Sequence, residues 1–351
     1  MVSIVAKNYG YVVGVDTHAR KHTLCLINNL GERLGIYECR VLTKDFRQVL
    51  SLIKRKTTNQ PVLFAVEGTS SYGETLTRFL EGSGETVCEV RPPKIKQRGQ
   101  MGKDDAIDAE LAAKSVLPLS IDRLVIPRSA GMRKELRTLL SSRNLLVKQQ
   151  TMNKNALNAL VRSGVGTGGV GGIDARKALS ASMIRQIARS RPCSSIDAIE
   201  AKRLSGEVER LSKLLIENEV RLAKIVQYIA GDLLSLTGVG PMTAAQFICS
   251  YSHKGRIRSP EAFVKLAGTA PIPASSGNTV RHRLNRFGDR ALNCAINVVA
   301  MNRMRCDEQT KLYVVKRIKD GLSLREIRRT LKRYIARNIY KQLELLNLGI
   351  D

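Results

Sequence analysis

Apolar residues run in short unbroken blocks over the first ninety residues and recur at helical spacing after that. Tyr11-Val-Val-Gly-Val-Asp16 reads as a buried strand. A second follows from Thr23 to Asn28, and a third from about Leu34 to Cys39 after a turn at Asn29-Leu-Gly31, which predicts an antiparallel meander. Next come a helix from about Lys44 to Arg55, an apolar strand Val62 to Glu67, a helix Tyr72 to Glu81 and a strand Thr86 to Val90. Strands alternating with helices predict parallel pairing through crossovers.

Three meandering strands followed by α/β crossovers is the strand pattern of an α/β RNase H-like sheet, closed here by a helix from near Asp104 through Ala113. From Ser129 to about Val161 the pattern is helical, with Met132, Leu139, Leu146 and Leu160 on a seven-residue ladder that also takes in Asn153. Gly164 to Gly172 holds six glycines in nine residues and cannot continue that helix. A cleaner heptad follows: Leu204, Val208, Leu211, Leu215, Leu222, Ile225 and Ile229 form a seam with Asn218 as its single polar member. That seam suits either a coiled coil between chains or a hairpin within one chain. Beyond residue 230 the chain is helical and basic, and Thr237-Gly-Val-Gly240-Pro-Met-Thr-Ala opens a helix in a helix-hairpin-helix-like manner, its first amides suited to a phosphate. We therefore expect three regions: 1–125 (α/β), 126–228 (a helical, coiled-coil linker) and 229–351 (mostly α-helical).

Charge narrows the class. The chain carries 58 Lys plus Arg against 31 Asp plus Glu, a formal +27, and a surface of that sign binds a polyanion through counterion release. The excess is uneven: residues 1–125 hold 18 basic and 14 acidic side chains, 126–228 hold 19 and 8, and the rest 21 and 9. Nucleic acid is the expected partner. No apolar run approaches the roughly 20 residues of a membrane span, and the amino terminus lacks a secretory apolar core, so a cytoplasmic protein is expected. The seven cysteines are scattered singly, without the close pairs that zinc sites use, which fits reduced packing residues.

Candidate chemistry sits in two places. Asp16 and Glu67 each end an otherwise apolar strand, and a carboxylate there is costly unless it serves a function. Asp105 and Asp108, three apart on a helix, share one face. Four converging acids repel one another unless cations neutralise them, and hard oxygen donors suit Mg²⁺ or Mn²⁺. The plainer reading takes Asp104, Asp105 and Asp108 as first-turn acids complementing a helix dipole; Asp16 and Glu67 tip the balance toward a metal site. His18 and His22 have the i, i+4 spacing of a helical metal pair but flank a strand and a turn, so they are expected to be ordinary loop residues. Further on, Ala267-Gly-Thr-Ala-Pro271-Ile-Pro-Ala-Ser-Ser276-Gly277 reads as a loop followed by Arg281, Arg283, Arg286 and Arg290. A serine nucleophile attacking a phosphodiester needs such neighbouring cations, although Ser-Gly in a loop is also common turn chemistry.

Taken in order, Val13-Gly-Val-Asp16, Ala65-Val-Glu67, Lys103-Asp-Asp105-Ala-Ile-Asp108-Ala109, Thr237-Gly-Val-Gly240 and Ala267-Gly-Thr-Ala-Pro271 leading to Ser276-Gly277 resemble the DEDD-type insertion-sequence transposases, family one hundred and ten. These are the bridge-RNA-guided serine recombinases. The resemblance implies that Asp16, Glu67, Asp105 and Asp108 are the metal-binding tetrad of a RuvC-like domain. It also implies that Ser276, with Ser275 in reserve, is the nucleophile of a carboxy-terminal transposase domain. It further implies donor and target DNA as substrates, a structured noncoding RNA as guide, and a homo-oligomer, dimeric or tetrameric in the active complex, working near the nucleoid. Two positions depart from the family pattern: Asp104 stands where Ser or Thr is usual, and Asn293 where a basic residue commonly follows Gly288-Asp-Arg290. Two alternatives stay open beside this reading: a RuvC-like junction nuclease using only metal and water, and a non-catalytic nucleic-acid-binding protein.

Overall fold

The computed structural model describes residues 4–91, 104–127, 131–163, 178–191, 195–273, 282–283, 285 and 287–346. Ser275, Ser276, Gly277, Arg281, Arg286 and the glycine stretch 164–172 lie outside them. The chain divides into two compact units, Met1–Ser129 and Ala130–Asp351.

The first unit is built on one five-stranded sheet. Its strands are β1 (Tyr11–Thr17), β2 (Lys21–Asn28), β3 (Arg33–Arg40), β4 (Val62–Glu67) and β5 (Thr86–Val90), in the spatial order β3-β2-β1-β4-β5. β1 pairs antiparallel with β2 (Gly14↔Cys25) and parallel with β4 (Gly14↔Ala65), and β4 continues parallel to β5. The crossovers run through α1 (Thr43–Lys56) and α2 (Glu74–Gly82), and α3 (Asp105–Val116) follows β5. α2 starts two residues later than expected because residues 68–73 form turns closed by bonds from the Ser71 and Gly73 amides to Gly68 O, with Gly68 at φ +61°.

Alternation along the strands sorts the side chains onto two faces. Val13, Val15, Leu24, Leu26, Phe64 and Val66 meet Phe46, Leu50 and Ile53 of α1 and Leu76 and Leu80 of α2. Val12, Cys25, Ile27, Leu63, Ala65 and Cys88 meet Ala109, Ala112, Ala113 and Val116 of α3. Helices on both faces explain why β1 and β4 are apolar without a break. The α3 contact is unusually close: a Cβ added at Gly14 would stand 1.9 Å from Ala109 O and 2.5 Å from Ala113 N. Glycine in the strand and alanine on the helix together let the two backbones touch.

In the second unit, α4 (Met132–Ser163) and α6 (Ile196–Ala230) form an antiparallel hairpin, with α5 (Ala181–Arg189) packed at its far end. The seam, which suited either a coiled coil between chains or a hairpin within one, is filled here from within: Leu204, Val208, Leu211 and Leu222 are buried, and Asn218 Nδ2 donates to Leu139 O at 3.0 Å. Gln150 Nε2 to Ser212 Oγ (2.8 Å) and Arg143 Nη1 to Leu215 O (3.0 Å) extend the same line of ties. Of the two readings, the structure shows the hairpin within one chain, with α4 covering the heptad.

The base of the hairpin shares its core with α7 (Pro241–Tyr251), α8 (Pro260–Leu266), α9 (Arg290–Cys306) and α11 (Leu324–Leu345). Leu136, Leu222 and Val226 pack there with Phe247, Phe263, Ile296 and Ile339. α10 (Glu308–Lys319) joins α9 to α11. Residues 267–277, expected to be loop throughout, contribute a strand: β6 (Ile272–Pro273) pairs antiparallel with β7 (His282–Arg283). Cys25, Cys39 and Cys88 are buried, and burial pushes their thiols up to about 11, 11 and 12, consistent with inert packing residues. Among the described residues no helix is long and apolar enough to cross a membrane.

Gly14→Ala is expected to force α3 off the sheet and cost about 1–3 kcal/mol of stability, the usual range for overpacking. The urea midpoint of the first unit's unfolding measures it, and an unchanged midpoint would show that α3 does not need this approach.

Candidate functional site

Asp16 is the sixth residue of β1 and only 6% exposed. It follows Val12 and Gly14 on the α3 side of the sheet. Glu67 ends β4, level with Asp16 one step beyond the Val15↔Val66 pair, and lies on the same side by the same alternation. Thr17 Oγ1 donates to Glu67 O at 3.0 Å, tying the two strand ends together.

α3 begins over these residues. Asp104 is its N-cap, accepting from the Ala106 amide at 3.1 Å, so the acid that departs from the family's Ser or Thr does the same capping work. Asp105 and Asp108 then fall in the first turn, and Asp108 is buried. Their approach to Asp16 follows from the Gly14 contact, which fixes the height of the helix above β1.

A group the sequence did not point to completes the cluster. His18 Nε2 lies 3.2 Å from Asp16 Oδ2 and 3.3 Å from Asp105 Oδ1. Asp16, His18 and Asp105 each offer a donor atom, and these atoms all lie within 4.8 Å of one another. His18 is two residues beyond Asp16, so strand alternation, and not the helical spacing to His22, was the relevant signal. His22 stays outside the site: it belongs to β2, stacks on Phe46 at 5.8 Å on the opposite face, and burial holds its pKa down to about 4.

Burial raises the pKa of Asp16 above the ordinary carboxylate value, the His18 charge pulls it down, and the charges of Asp105 and Asp108 push it up again. Ionised Asp16 therefore opposes folding at neutral pH, and the penalty grows as pH rises through the raised pKa. A divalent cation would relieve that burial and repulsion, and the donors, Asp16 and Asp105 close together with Asp108 in the same helical turn as Asp105 and Glu67 on the adjoining strand, are of the kind such ions take. The residues fit a hard divalent metal.

Comparison with known proteins bears on the whole chain. A family model for the DEDD transposases of the IS110 type matches residues 13–164, and a second, described as the transposase of the IS116/IS110/IS902 family, matches residues 230–315. The chain belongs to the IS110/IS116 family of insertion-sequence transposases. It is 23% identical over 361 residues to the "Insertion element IS116 uncharacterized 44.8 kDa protein" of Streptomyces clavuligerus, with 88% of each chain covered. It is also 24% identical over 316 residues to a "Probable family 20 transposase" of Pseudomonas aeruginosa, covering 86% of this chain and 83% of that one. As a transposase it is a DNA-cutting and rejoining enzyme, its substrate is DNA, and the DEDD type points to divalent metal use.

The second motif region of the transposase presents a hairpin whose feet are tightly fixed. Gly268 (φ +62°) and Gly288 (φ +103°) flank it, and a Cβ at Gly288 would stand 2.3 Å from Leu266 O. The Asp289 amide donates to Leu266 O (2.7 Å), while the Asp289 side chain caps α9 and accepts from Ser250 Oγ (2.6 Å). Asn293 Nδ2 donates to Ala267 O and Lys332 Nζ donates to Asn293 Oδ1, both at 2.6 Å. An amide can do both where a basic side chain could only donate, and the cation comes instead from α11. Ser276 belongs to the connection between β6 and β7, outside the described residues; Arg283 is in β7, and Arg290 opens α9 with its side chain exposed.

Two outcomes are expected. In chelator at pH 7, Asp16→Asn melts above the wild type, while added Mn²⁺ or Mg²⁺ raises the melting temperature of the wild type only; calorimetry in both buffers checks the sign. Gly288→Ala combines a disallowed φ with a backbone clash and costs the second unit about 1–3 kcal/mol, measured by denaturant titration.

Proposed function

We propose that this transposase is an RNA-guided DNA recombinase in which a RuvC-like, RNase H-fold carboxylate domain and the nucleophile Ser276 act on the same phosphodiester. The observation that carries the reading is the convergence of Asp16 and Asp105, with Asp108 in the same turn and Glu67 level on the next strand, over a sheet of order β3-β2-β1-β4-β5. That order, with an antiparallel meander and two parallel additions, supports the RNase H-like assignment.

In the proposed reaction Ser276 loses its proton, its Oγ bonds to phosphorus, and the bond from phosphorus to one deoxyribose oxygen breaks, leaving a sugar hydroxyl that takes up a proton. Attack by a hydroxyl of the partner strand reverses the step and frees the serine, so no nucleoside triphosphate is consumed. Mg²⁺ or Mn²⁺ held by Asp16, Glu67, Asp105 and Asp108 would offset charge on the scissile phosphate. Arg281, Arg283, Arg286 and Arg290 hold the DNA backbone beside the serine. A structured noncoding RNA that pairs with donor and target DNA supplies sequence specificity, which suits a chain of net charge +27 with only 4% aromatic residues for base stacking. The enzyme works as a cytoplasmic homo-oligomer. Since α4 covers the heptad seam of α6, its subunit contacts fall on other surfaces.

Purified protein, element-derived RNA, Mg²⁺ and labelled donor DNA should yield a protein–DNA adduct that survives denaturation. Ser276→Ala should abolish it and Ser275→Ala should not. Asp16→Ala and Glu67→Ala should each slow cleavage by about a hundredfold or more, since the lost charge stabilisation is worth several kcal/mol. Nicked DNA with no adduct, unaffected by Ser276→Ala, would instead identify a metal-and-water junction nuclease. Full transposition by Glu67→Ala would count against the carboxylate site and support the reading of the acidic cluster as a helix cap in a nucleic-acid-binding protein.

A further inference from the structure

The turn between β1 and β2 carries one imidazole, and the chain holds it in place. The His18 amide donates to Lys21 O at 3.2 Å, closing the turn, and the side chain falls on the Asp16 side of the strand. Although the side chain as a whole is 42% exposed, its Nε2 is sealed from solvent and makes no aligned hydrogen bond. It points instead between two carboxylate oxygens, at 3.2 and 3.3 Å.

Those separations are the spacing of adjacent ligands around one ion. With bonds of about 2.1 Å, neighbouring donors of an octahedron stand about 3 Å apart. Asp16 Oδ2 and Asp105 Oδ1 each stand near that spacing from His18 Nε2, and one donor atom from each of the three residues lies within 4.8 Å of the others. Other nearby polar groups are engaged elsewhere: His22 faces the opposite side of the sheet, and Lys21 Nζ pairs with Glu38 at 2.7 Å.

We infer that His18 is a third direct ligand of the metal, a nitrogen donor in an oxygen set, and that it biases the site toward Mn²⁺ over Mg²⁺. The inference rests on the metal-site reading above. Mg²⁺ takes oxygen almost exclusively and holds its water tightly, whereas first-row ions gain from imidazole in increasing order from Mn²⁺ onward.

The test is electron paramagnetic resonance on the full-length protein titrated with Mn²⁺, with and without competing Mg²⁺. Spin-echo measurement of the bound ion reports any directly bonded nitrogen. Wild type should bind Mn²⁺ and show nitrogen modulation of the echo. His18→Ala should lose the modulation and bind Mn²⁺ at least roughly tenfold more weakly, the loss typical even of an outer-shell partner, with a smaller change for Mg²⁺. His18→Asp restores an oxygen donor, so Mn²⁺ should bind without modulation and preference should move toward Mg²⁺. Bound Mn²⁺ without nitrogen modulation in the wild type, a result that needs no variant, overturns the inference and makes His18 a charge partner of the two acids. Modulation that persists in a folded His18→Ala protein overturns it as well. If wild type and Asp16→Ala alike fail to bind Mn²⁺, the metal-site reading itself falls, and this inference with it.

Discussion

Everything at the acidic centre depends on how near α3 can come to β1. The contact at Gly14 is backbone against backbone, with Ala109 and Ala113 forming the underside of the helix. A larger residue on either side would lift the first turn of α3, and Asp105 and Asp108 would rise with it. Apolar packing therefore supplies the precision that the carboxylates need, and its energy offsets the cost of bringing like charges together. That is why small residues, rather than bulky ones, sit under the site.

The serine region solves a different problem by different means. Its hairpin is pinned at its feet by two left-handed glycines and by a bond from Asn293 of α9, itself held by Lys332 of α11, while β6 and β7 are only two residues long.

Much of this was legible beforehand. β1, β2, β4 and β5 fall within two residues of the apolar runs that mark them, because largely buried strands have no other way to be written; the mostly exposed edge strand β3 was marked instead by the turn before it. Asp16 and Glu67 stood out because a carboxylate ending an apolar strand is expensive, and Asp105 and Asp108 because three-residue spacing puts both on one helix face. What stayed hidden depended on distance along the chain. Neither side of the Gly14 contact suggests the other, since a glycine in a strand and alanines in a helix nearly a hundred residues later are each unremarkable. His18 was passed over because it was tested at helical spacing against His22, whereas its partner lay two residues back in a strand and a third lay on α3. The heptad of α6 was plain, but a seam looks the same whether its partner is another chain or α4, and the packing of α4 against it, with the bond from Asn218 to Leu139 O, tells the two apart.

The α4–α6 hairpin has one more consequence. Its apolar cores lie at its two ends, Leu136 with Leu222 and Val226 at the base and Leu157 and Val161 with Leu204 and Val208 at the tip, while Arg143, Gln150, Ser212 and Asn218 hold the span between. Some twenty residues of helix at 1.5 Å each separate the ends by about 30 Å. Mechanically this is a beam clamped at both ends, with polar stays along its length that set register without adding bulk. Neither helix can slide along the other without drawing those stays out of line.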